Sequence, residues 1–156
     1  MRIRVIAVGT RLPAWADTAV EDFTRRMPRE CQVEVQAVAA EPRSKKPDTA
    51  RIMRNEATRI RAKMLPGSRV VVLDERGKPW TTRQWAQALE GWMGEGQDVS
   101  MLIGGADGLE PALRASGDPS VALSPLTLPH ALARVLLVEA LYRAWSLSSG
   151  HPYHRE

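Results

Sequence analysis

The chain has 156 residues, of which 44% are hydrophobic and 26% charged, a balance that excludes a chain disordered throughout. This length predicts a single domain over residues 1–156 that needs neither disulfides nor metal for stability. The formal net charge of +4 permits a polyanionic partner without establishing one. The only cysteine, Cys31, cannot form an internal disulfide, so a reducing compartment is expected.

The N-terminal segment does not resemble a targeting signal. Its apolar part, within residues 2–8, is short and is interrupted by Arg4, whereas a secretory signal needs about 7–15 apolar residues. No stretch approaches the ~20 apolar residues of a membrane helix. We therefore expect a cytoplasmic protein with no membrane partner.

The first predicted pair of elements is a strand over residues 2–8 and a helix over about 14–27. In the strand, residues alternate so that one face is more apolar than the other. In the helix, four apolar side chains recur every four residues and are expected on its buried face: Trp15, Ala19, Phe23 and Met27.

The second predicted pair is a strand over about 32–38 and a helix over about 49–64, which Asp48 is expected to cap. Lys and Arg are concentrated over residues 41–63, in the loop before this helix and along it. Two interpretations of this basic segment stay open. It is either a solvated helix face, the usual role of such a charge run, or a surface that contacts an RNA backbone.

The rest of the chain continues the alternation. The run of β-branched residues within 69–73 predicts a strand buried on both faces, as in a parallel sheet. The remaining predicted elements are helices over about 82–93, 110–116 and 131–147, and strands over about 98–103 and within 120–128. Alternating strands and helices predict an α/β fold, with a mostly parallel sheet flanked by helices.

Three predicted loops follow the C-terminal ends of strands, where ligands of open α/β sheets bind. They are residues 74–79, 104–108 and 123–129. In the second loop, Gly104 and Gly105 would let a ligand approach the backbone closely, because no Cβ intervenes. The alternative is that these glycines only form a tight turn between strand and helix.

Common nucleotide and metal motifs are absent from the sequence. No Gly-x-Gly-x-x-Gly follows the first strand and no Gly-Lys-Ser/Thr loop is present, which argues against dinucleotide enzymes and nucleoside triphosphatases. His151 and His154 have no third ligand nearby, so no metal is expected. A hydrolase that uses Cys31 or Ser124 is remote, because no base partner is visible.

The C-terminal tail is rich in reactive side chains. His151, Tyr153, His154 and Arg155 follow the most apolar of the predicted helices. The tail is either solvated, as chain ends usually are, or ordered over a functional site, in its own subunit or in a partner.

Four motifs, in this order, carry a resemblance to a known family. They are Leu102–Gly108 (LIGGADG), Leu123–His130 (LSPLTLPH), Glu139–Trp145 (EALYRAW) and His151–Glu156 (HPYHRE). Over essentially its whole length, the chain resembles the SPOUT family that methylates N3 of a pseudouridine in large-subunit ribosomal RNA. Ala106-Asp107 stands where similar sequences often carry Pro-Glu, and the glycines of this loop are intact.

The resemblance implies a C-terminal trefoil knot, S-adenosylmethionine as cofactor, and a homodimer that acts on ribosomal RNA in the assembled ribosome. Together with the glycine loop, it predicts a cofactor site formed by Leu73, Gly104, Gly105, Leu123, Ser124, Pro125, Leu126, Thr127 and Leu128. The lack of Lys and Arg in residues 123–129 suits a cofactor that is itself a cation.

Methylation at N3 requires a group that removes the imide proton or stabilises the imide anion. The candidate bases are His154 and His130, with Tyr153 as a positioning group. Arg143 or Arg155 would stabilise the anion or pair with a phosphate. Structural roles stay open for two of these residues: His130 could cap a helix, and Arg143 could form a surface ion pair.

The alternative function is a non-enzymatic RNA-binding or ribosome-associated factor on the same scaffold. The basic segment fits both functions equally well. The two glycines and the His/Tyr/Arg tail favour the enzyme, because binding alone needs no cradle for a small molecule.

Overall fold

The structure is a computed structural model, and it describes residues 1–154. Strands and helices alternate along the whole chain, as the sequence predicts. The strands are β1 (Arg2–Val8), β2 (Gln32–Val38), β3 (Arg69–Pro79), β4 (Val99–Ile103) and β5 (Ser120–Ala122). The helices are α1 (Ala14–Arg26), α2 (Thr49–Lys63), α3 (Thr82–Glu95), α4 (Pro111–Ala115) and α5 (His130–Ser149).

The five strands form one parallel sheet in the order β2-β1-β4-β3-β5. The strand β1 pairs with β2 from Arg2 opposite Gln32 to Val8 opposite Val38. Because the strands are parallel, their C-terminal ends share one edge of the sheet. The predicted α/β fold is therefore confirmed, whereas the trefoil knot stays a prediction based on the resemblance.

Helices cover both faces of the sheet and divide the core into two layers. On one face, α1, α3 and α5 pack against Ile3, Val5 and Ala7 of β1. On the other face, α2 and α4 pack against Ile6 and Val8. Strand β3 also contributes to both layers, so the predicted burial of its first half on both faces is confirmed.

Strand β3 is longer than predicted because the chain leaves the sheet and then returns to it. Leu73 and Lys78 both lie opposite Val121 of β5, so residues 74–77 loop out between them. The prediction of a loop over all of 74–79 is therefore wrong for its last two residues. Gly77 allows the return, since a Cβ there would lie 2.7 Å from the backbone nitrogen of Val121.

The predicted apolar face of helix α1 is confirmed for Phe23 and Met27, which pack against the core, but it is wrong for Trp15. Trp15 is 57% exposed, whereas its neighbour Ala16 is completely buried. Phe23 is half-buried and packs against the core from the side. The four-residue spacing alone could not place Trp15, because α1 packs against α5 and that contact decides which residues of the helix are covered.

In helix α5 the apolar residues expected from the sequence are Leu132, Val135, Leu136, Leu141 and Trp145, and only Leu141 and Trp145 are confirmed as part of the core or packed against it. Its core-facing residues include Leu137, Val138 and Leu141, whereas Val135 and Leu136 are only half-buried. The helix is apolar on most sides, so periodicity could not select one face. None of the helices within residues 1–154 combines the length and the hydropathy needed to cross a bilayer.

Candidate functional site

A cavity of about 380 Å³ opens at the C-terminal edge of the sheet. This volume lies in the range of small-molecule sites, about 300–1,000 Å³. Of the residues predicted to bind the cofactor, all but Pro125 line it: Leu73, Gly104, Gly105, Leu123, Ser124, Leu126, Thr127 and Leu128. The three strand-end loops thus meet around one cavity, and the first turns of α5 close it.

The glycine loop after β4 is a tight turn. The N–H of Gly108 donates to the carbonyl of Gly105 at 3.0 Å, and Gly108 has a φ of +82°. A Cβ at Gly104 would lie 2.6 Å from the carbonyl carbon of Gly108, and one at Gly105 would lie 2.8 Å from Oε1 of Glu56. The tight turn therefore accounts for Gly104, whereas Gly105 is crowded by Glu56 of another element; both residues also line the cavity.

Glu56 is a residue of the site region that sequence analysis missed. Its side chain lies on α2, is only 5% exposed, and accepts the backbone N–H of Glu41 through Oε2 at 3.0 Å. Its other oxygen, Oε1, faces Gly105 and has no hydrogen-bond partner within the described residues. A carboxylate in a helix crowded with charge gives no sequence signal for burial, since such residues are usually exposed.

The loop after β5 is shaped by its own serine. The hydroxyl oxygen of Ser124 accepts the N–H of Leu126 at 3.0 Å, which bends the backbone within the 123–128 loop. The side chain of Leu126 is 70% exposed. Because residues 123–128 include no Asp, Glu, Lys or Arg, this loop contributes no charged side chain to the cavity that it lines.

Charged residues surround the cavity as ion pairs. Asp74, whose side chain is only 9% exposed, accepts the backbone N–H of Arg76 at 2.9 Å and lies 3.9 Å from Nε of Arg114. Asp107 is paired with Arg43 of the β2–α2 loop. The sequence predicted the segments that carry these two acids, but it did not single out either acid as a site residue. Their carboxylates could accept hydrogen bonds from hydroxyl or amino groups of a ligand.

Arg134 is a second residue that sequence analysis missed. It is 2% exposed and donates to the carbonyls of Val8 and Gly9, at 2.9 and 2.7 Å. Burial lowers the pKa of this guanidinium. The contact holds α5 against the C-terminal end of β1, next to Ala133, which lines the cavity.

His130 is the only proposed catalytic residue, among those that the structure describes, that lines the cavity. It is exposed and is the first residue of α5. The cap position belongs to Pro129, and no side chain caps this helix. The capping role considered for His130 is therefore wrong, and its imidazole is available at the cavity.

The tail is ordered against α5 as far as residue 154. The hydroxyl of Tyr153 donates to Glu139 at 3.0 Å, and its ring lies 4.7 Å from that of Tyr142. The guanidinium of Arg143 bonds to Glu139 at 2.8 Å and lies 5.0 Å from the centre of the Tyr153 ring. Burial and the nearby Glu139 raise the pKa of Tyr153. The solvated-tail interpretation is therefore wrong for these residues.

As far as residue 154, the tail does not reach the cavity of its own chain. Glu139, which holds Tyr153, follows His130 by nine residues, or about 13 Å along the helix axis. Neither Arg143, Tyr153 nor His154 lines the cavity. Both ring nitrogens of His154 are buried without a hydrogen-bond partner in the described part of the chain. Arg155, the remaining candidate, lies outside the described residues.

Cys31 has no features of a nucleophile. It is completely buried, and this burial raises the pKa of its thiol to about 12. The reactive thiolate is therefore negligible at neutral pH. Within residues 1–154, no three His, Cys, Asp or Glu side chains are grouped so that they could hold a metal ion.

Comparison with known proteins places the chain among methyltransferases. The family described as "Predicted SPOUT methyltransferase" matches residues 1–154. The chain is 54% identical to a protein of Methylibium petroleiphilum and 52% identical to one of Variovorax paradoxus, each over 156 residues and the full length of both proteins. Both relatives are named "Ribosomal RNA large subunit methyltransferase H".

A solved structure shares the fold. A methylase family protein from Neisseria gonorrhoeae superposes with a TM-score of 0.53, covering 90% of this chain and 81% of that one. The two sequences are only 14% identical. This similarity therefore concerns the fold alone.

Proposed function

This chain belongs to the SPOUT methyltransferase family, and on that premise we propose that it methylates N3 of a pseudouridine in large-subunit ribosomal RNA. The observation that carries the proposal is the full-length identity of 54% to a relative named as an rRNA large-subunit methyltransferase. The N3 position follows from the C-terminal motifs that this sequence shares with that family. Residues 1–156 act as one catalytic domain, which works in the cytoplasm on the assembled ribosome.

The cavity suits S-adenosylmethionine as the donor. Leu73, Leu123 and Leu128 supply apolar surface for the adenine ring, and the 123–128 loop supplies backbone hydrogen-bonding groups. Asp74 and Asp107 offer carboxylates to the ribose hydroxyls and the amino group. Among the described residues that line the cavity, Arg76 is the only Arg or Lys, and it is paired with Asp74, so a cationic donor meets no strong repulsion from residues 1–154.

When bound, S-adenosylmethionine supplies a methyl group on a positively charged sulfur. The N3–H proton of the acceptor must pass to a base as the N–C bond forms and the C–S bond breaks. His130 lies at the cavity and is the base candidate from the same subunit. The loops that line the cavity would hold the donor in place, and alignment of the reacting groups lowers the barrier to a direct displacement.

We further propose a homodimer in which the tail of one subunit completes the site of the other. Support comes from the tail itself, which is ordered yet lies about 13 Å along α5 from its own cavity. Leu132, Val135 and Leu136 form a half-buried apolar face on α5 that a second subunit would cover. The partner's tail would then bring its Tyr153 and His154 to the acceptor base.

The test of the function is methyl transfer from labelled S-adenosylmethionine to ribosomes that lack the modification. We expect about one methyl group per ribosome, and mass spectrometry of the nucleosides should identify it as N3-methylpseudouridine. In single-turnover assays, His130→Ala or His154→Ala should lower the rate by about 10²-fold or more if that residue is the base.

Two results would contradict parts of this proposal. Binding of S-adenosylmethionine with no transfer to ribosomes, subunits or free RNA would favour the non-enzymatic ribosome-binding factor. Full single-turnover rates in both histidine variants would exclude a histidine base while leaving the methyltransferase intact.

A further inference from the structure

We propose that residues 43–54, the β2–α2 segment within the longer basic stretch 41–63, are a docking surface for RNA. This surface would bind the phosphates that flank the methylated nucleotide. This inference rests on the proposed function, and it assigns a role to the charge cluster that sequence analysis left open. Its basic residues are Arg43, Lys45, Lys46, Arg51 and Arg54.

The charge excess of the chain is concentrated in this segment. Five basic residues stand against one acidic residue, Asp48, which leaves an excess of four. The formal net charge of the whole chain is also +4. The remaining charges of the chain therefore balance one another, and the segment is the local source of the positive potential.

The cations of this segment are less neutralised than those at the end of α1. On α1, Arg25 and Arg26 are each paired with an acid one turn earlier, Glu21 and Asp22. By contrast, no ion pair involves Lys45, Lys46 or Arg54 within residues 1–154, and all three are exposed.

Arg51 is also open to a polyanion. Its side chain is 65% exposed, and its contact with Glu41 is long, at 4.0 Å. Glu41 is bound more closely by Arg59 and Asn55, at 2.5 and 3.0 Å. Arg51 and Arg54 are three residues apart and so lie on the same side of α2. Four exposed cations can thus contact a polyanion without first breaking a close ion pair.

The segment lies at the edge of the sheet that carries the cavity. Helix α2 follows β2, so its first turns lie beside the C-terminal ends of the parallel strands. Arg43 is paired with Asp107, which lines the cavity. Lys45 is two residues from Arg43, so their Cα atoms are at most about 7 Å apart.

Three contacts fasten this region to the glycine loop and its helix. Arg43 pairs with Asp107, Glu56 packs against Gly105, and Arg61 lies 3.2 Å from Glu110, the residue before α4. The same Glu56 accepts the backbone N–H of Glu41, at the start of the β2–α2 loop. The cations are therefore held at a set position relative to the cavity rather than on a free loop.

An RNA strand is the partner that this arrangement fits. A strand of a duplex carries one phosphate per about 3.4 Å of helix axis, so a nucleotide at the cavity brings neighbouring phosphates within reach of the segment. Exposed Lys and Arg neutralise such phosphates without reading the sequence. The cavity would then select the base, and the segment would supply affinity.

The experiment compares two double variants of equal charge change in the full-length protein. Lys45→Ala/Lys46→Ala removes two cations from the segment, and Arg29→Ala/Lys63→Ala removes two exposed cations near the opposite edge of the sheet. Each is assayed for S-adenosylmethionine affinity by calorimetry, for the KM of ribosomes at low and at raised salt, and for binding of a fluorescent RNA stem-loop by anisotropy.

We expect Lys45→Ala/Lys46→Ala to raise the KM of ribosomes and the Kd of the stem-loop about tenfold at low salt. The slope of log Kd against log salt should fall by about 0.7–0.9 for each phosphate that the variant no longer neutralises. Affinity for S-adenosylmethionine should stay within about twofold. The control variant should match the wild type in all three measurements.

Two results would overturn the proposal. Equal KM, Kd and salt slope in the two double variants would show that the segment is a solvated face. A raised KM for ribosomes with unchanged stem-loop binding would assign the segment to a ribosomal protein rather than to RNA. Anisotropy measures RNA binding without catalysis. If the wild type binds the stem-loop and Lys45→Ala/Lys46→Ala does not, the docking surface is supported even if no methyl transfer is observed.

Discussion

At the residue scale, the two glycines after β4 lie in the loop that the sequence predicted, but each must be glycine for a different structural reason. A Cβ at Gly104 would meet the backbone of its own loop, at 2.6 Å. A Cβ at Gly105 would meet Oε1 of Glu56 at 2.8 Å and Cγ1 of Val8 at 3.1 Å. Backbone cannot move aside as a side chain can, so the two positions should respond differently to substitution.

The first prediction concerns a pair of variants, Gly105→Ala and Gly105→Ala/Glu56→Ala. The single variant should lower the free energy of unfolding by about 1–3 kcal/mol, because the new methyl group overlaps the buried carboxylate. The double variant should be less destabilised than the sum of its two single variants, since removal of the carboxylate makes room. Urea denaturation measures the stabilities, and calorimetry measures affinity for S-adenosylmethionine.

Gly104→Ala is the matched control, because Glu56→Ala should not rescue it. If Glu56→Ala restores both stability and cofactor affinity at position 105, packing is the reason for that glycine. Restored stability with no recovery of cofactor binding would instead show that the ligand itself requires glycine there.

At the scale of elements, Arg134 joins the last helix to the first strand. Its guanidinium donates to two carbonyls where β1 ends, and it is 2% exposed. Helix α5 also carries His130 and Ala133 at the cavity. Arg134 binds backbone carbonyls rather than a carboxylate, so no acidic residue in the sequence marks its partner. The contact is therefore visible only in the folded chain.

The second prediction is that Arg134→Met destabilises the protein by about 2–4 kcal/mol. Methionine keeps much of the apolar stem but leaves the two carbonyls without their charged donor. Arg143→Met on the same helix is the control, and its half-buried ion pair should be worth less than about 1 kcal/mol. Equal losses in the two variants, measured by urea denaturation, would contradict the assigned role of Arg134.

At the scale of the whole molecule, the proposed dimer explains two features of one chain. The described part of the tail, up to residue 154, packs on α5 away from its own cavity, and α5 keeps a half-buried apolar face. Both features are expected if a second copy covers α5 and receives the tail.

The third prediction is that Val135→Glu/Leu136→Glu gives a monomer. Burying two carboxylates in an apolar interface is costly, so association should be lost. Sedimentation should give about twice 17.3 kDa for the wild type and that single mass for the variant. The monomer should also lose methyl transfer, because no partner tail is present. The control is Ser148→Glu at an exposed position of α5, which should leave the dimer intact.

A complementation experiment separates the two parts of this prediction. A subunit with Tyr153→Phe/His154→Ala, mixed with one whose cavity is filled by Ala133→Phe, should regain part of the activity that each lacks alone. A dimer without recovery would show that the tail acts in its own subunit. A wild-type monomer would contradict the dimer directly.

The sequence by itself determined the order of the elements, the parallel α/β class and the edge of the sheet that carries the site. These properties depend on local patterns, such as the β-branched run within 69–73 and the loops after each strand. The motifs also sufficed to indicate the family, because their order along the chain is specific.

Only the tertiary structure decided which faces are buried, why the glycines are needed and where the tail and the basic segment lie. Trp15 and Leu136 have the spacing of core residues, yet neighbouring helices leave them outside the core. Glu56 meets Gly105, and Arg134 meets Val8, across long separations in sequence. Such contacts depend on how whole elements pack, and local side-chain periodicity carries no information about that packing.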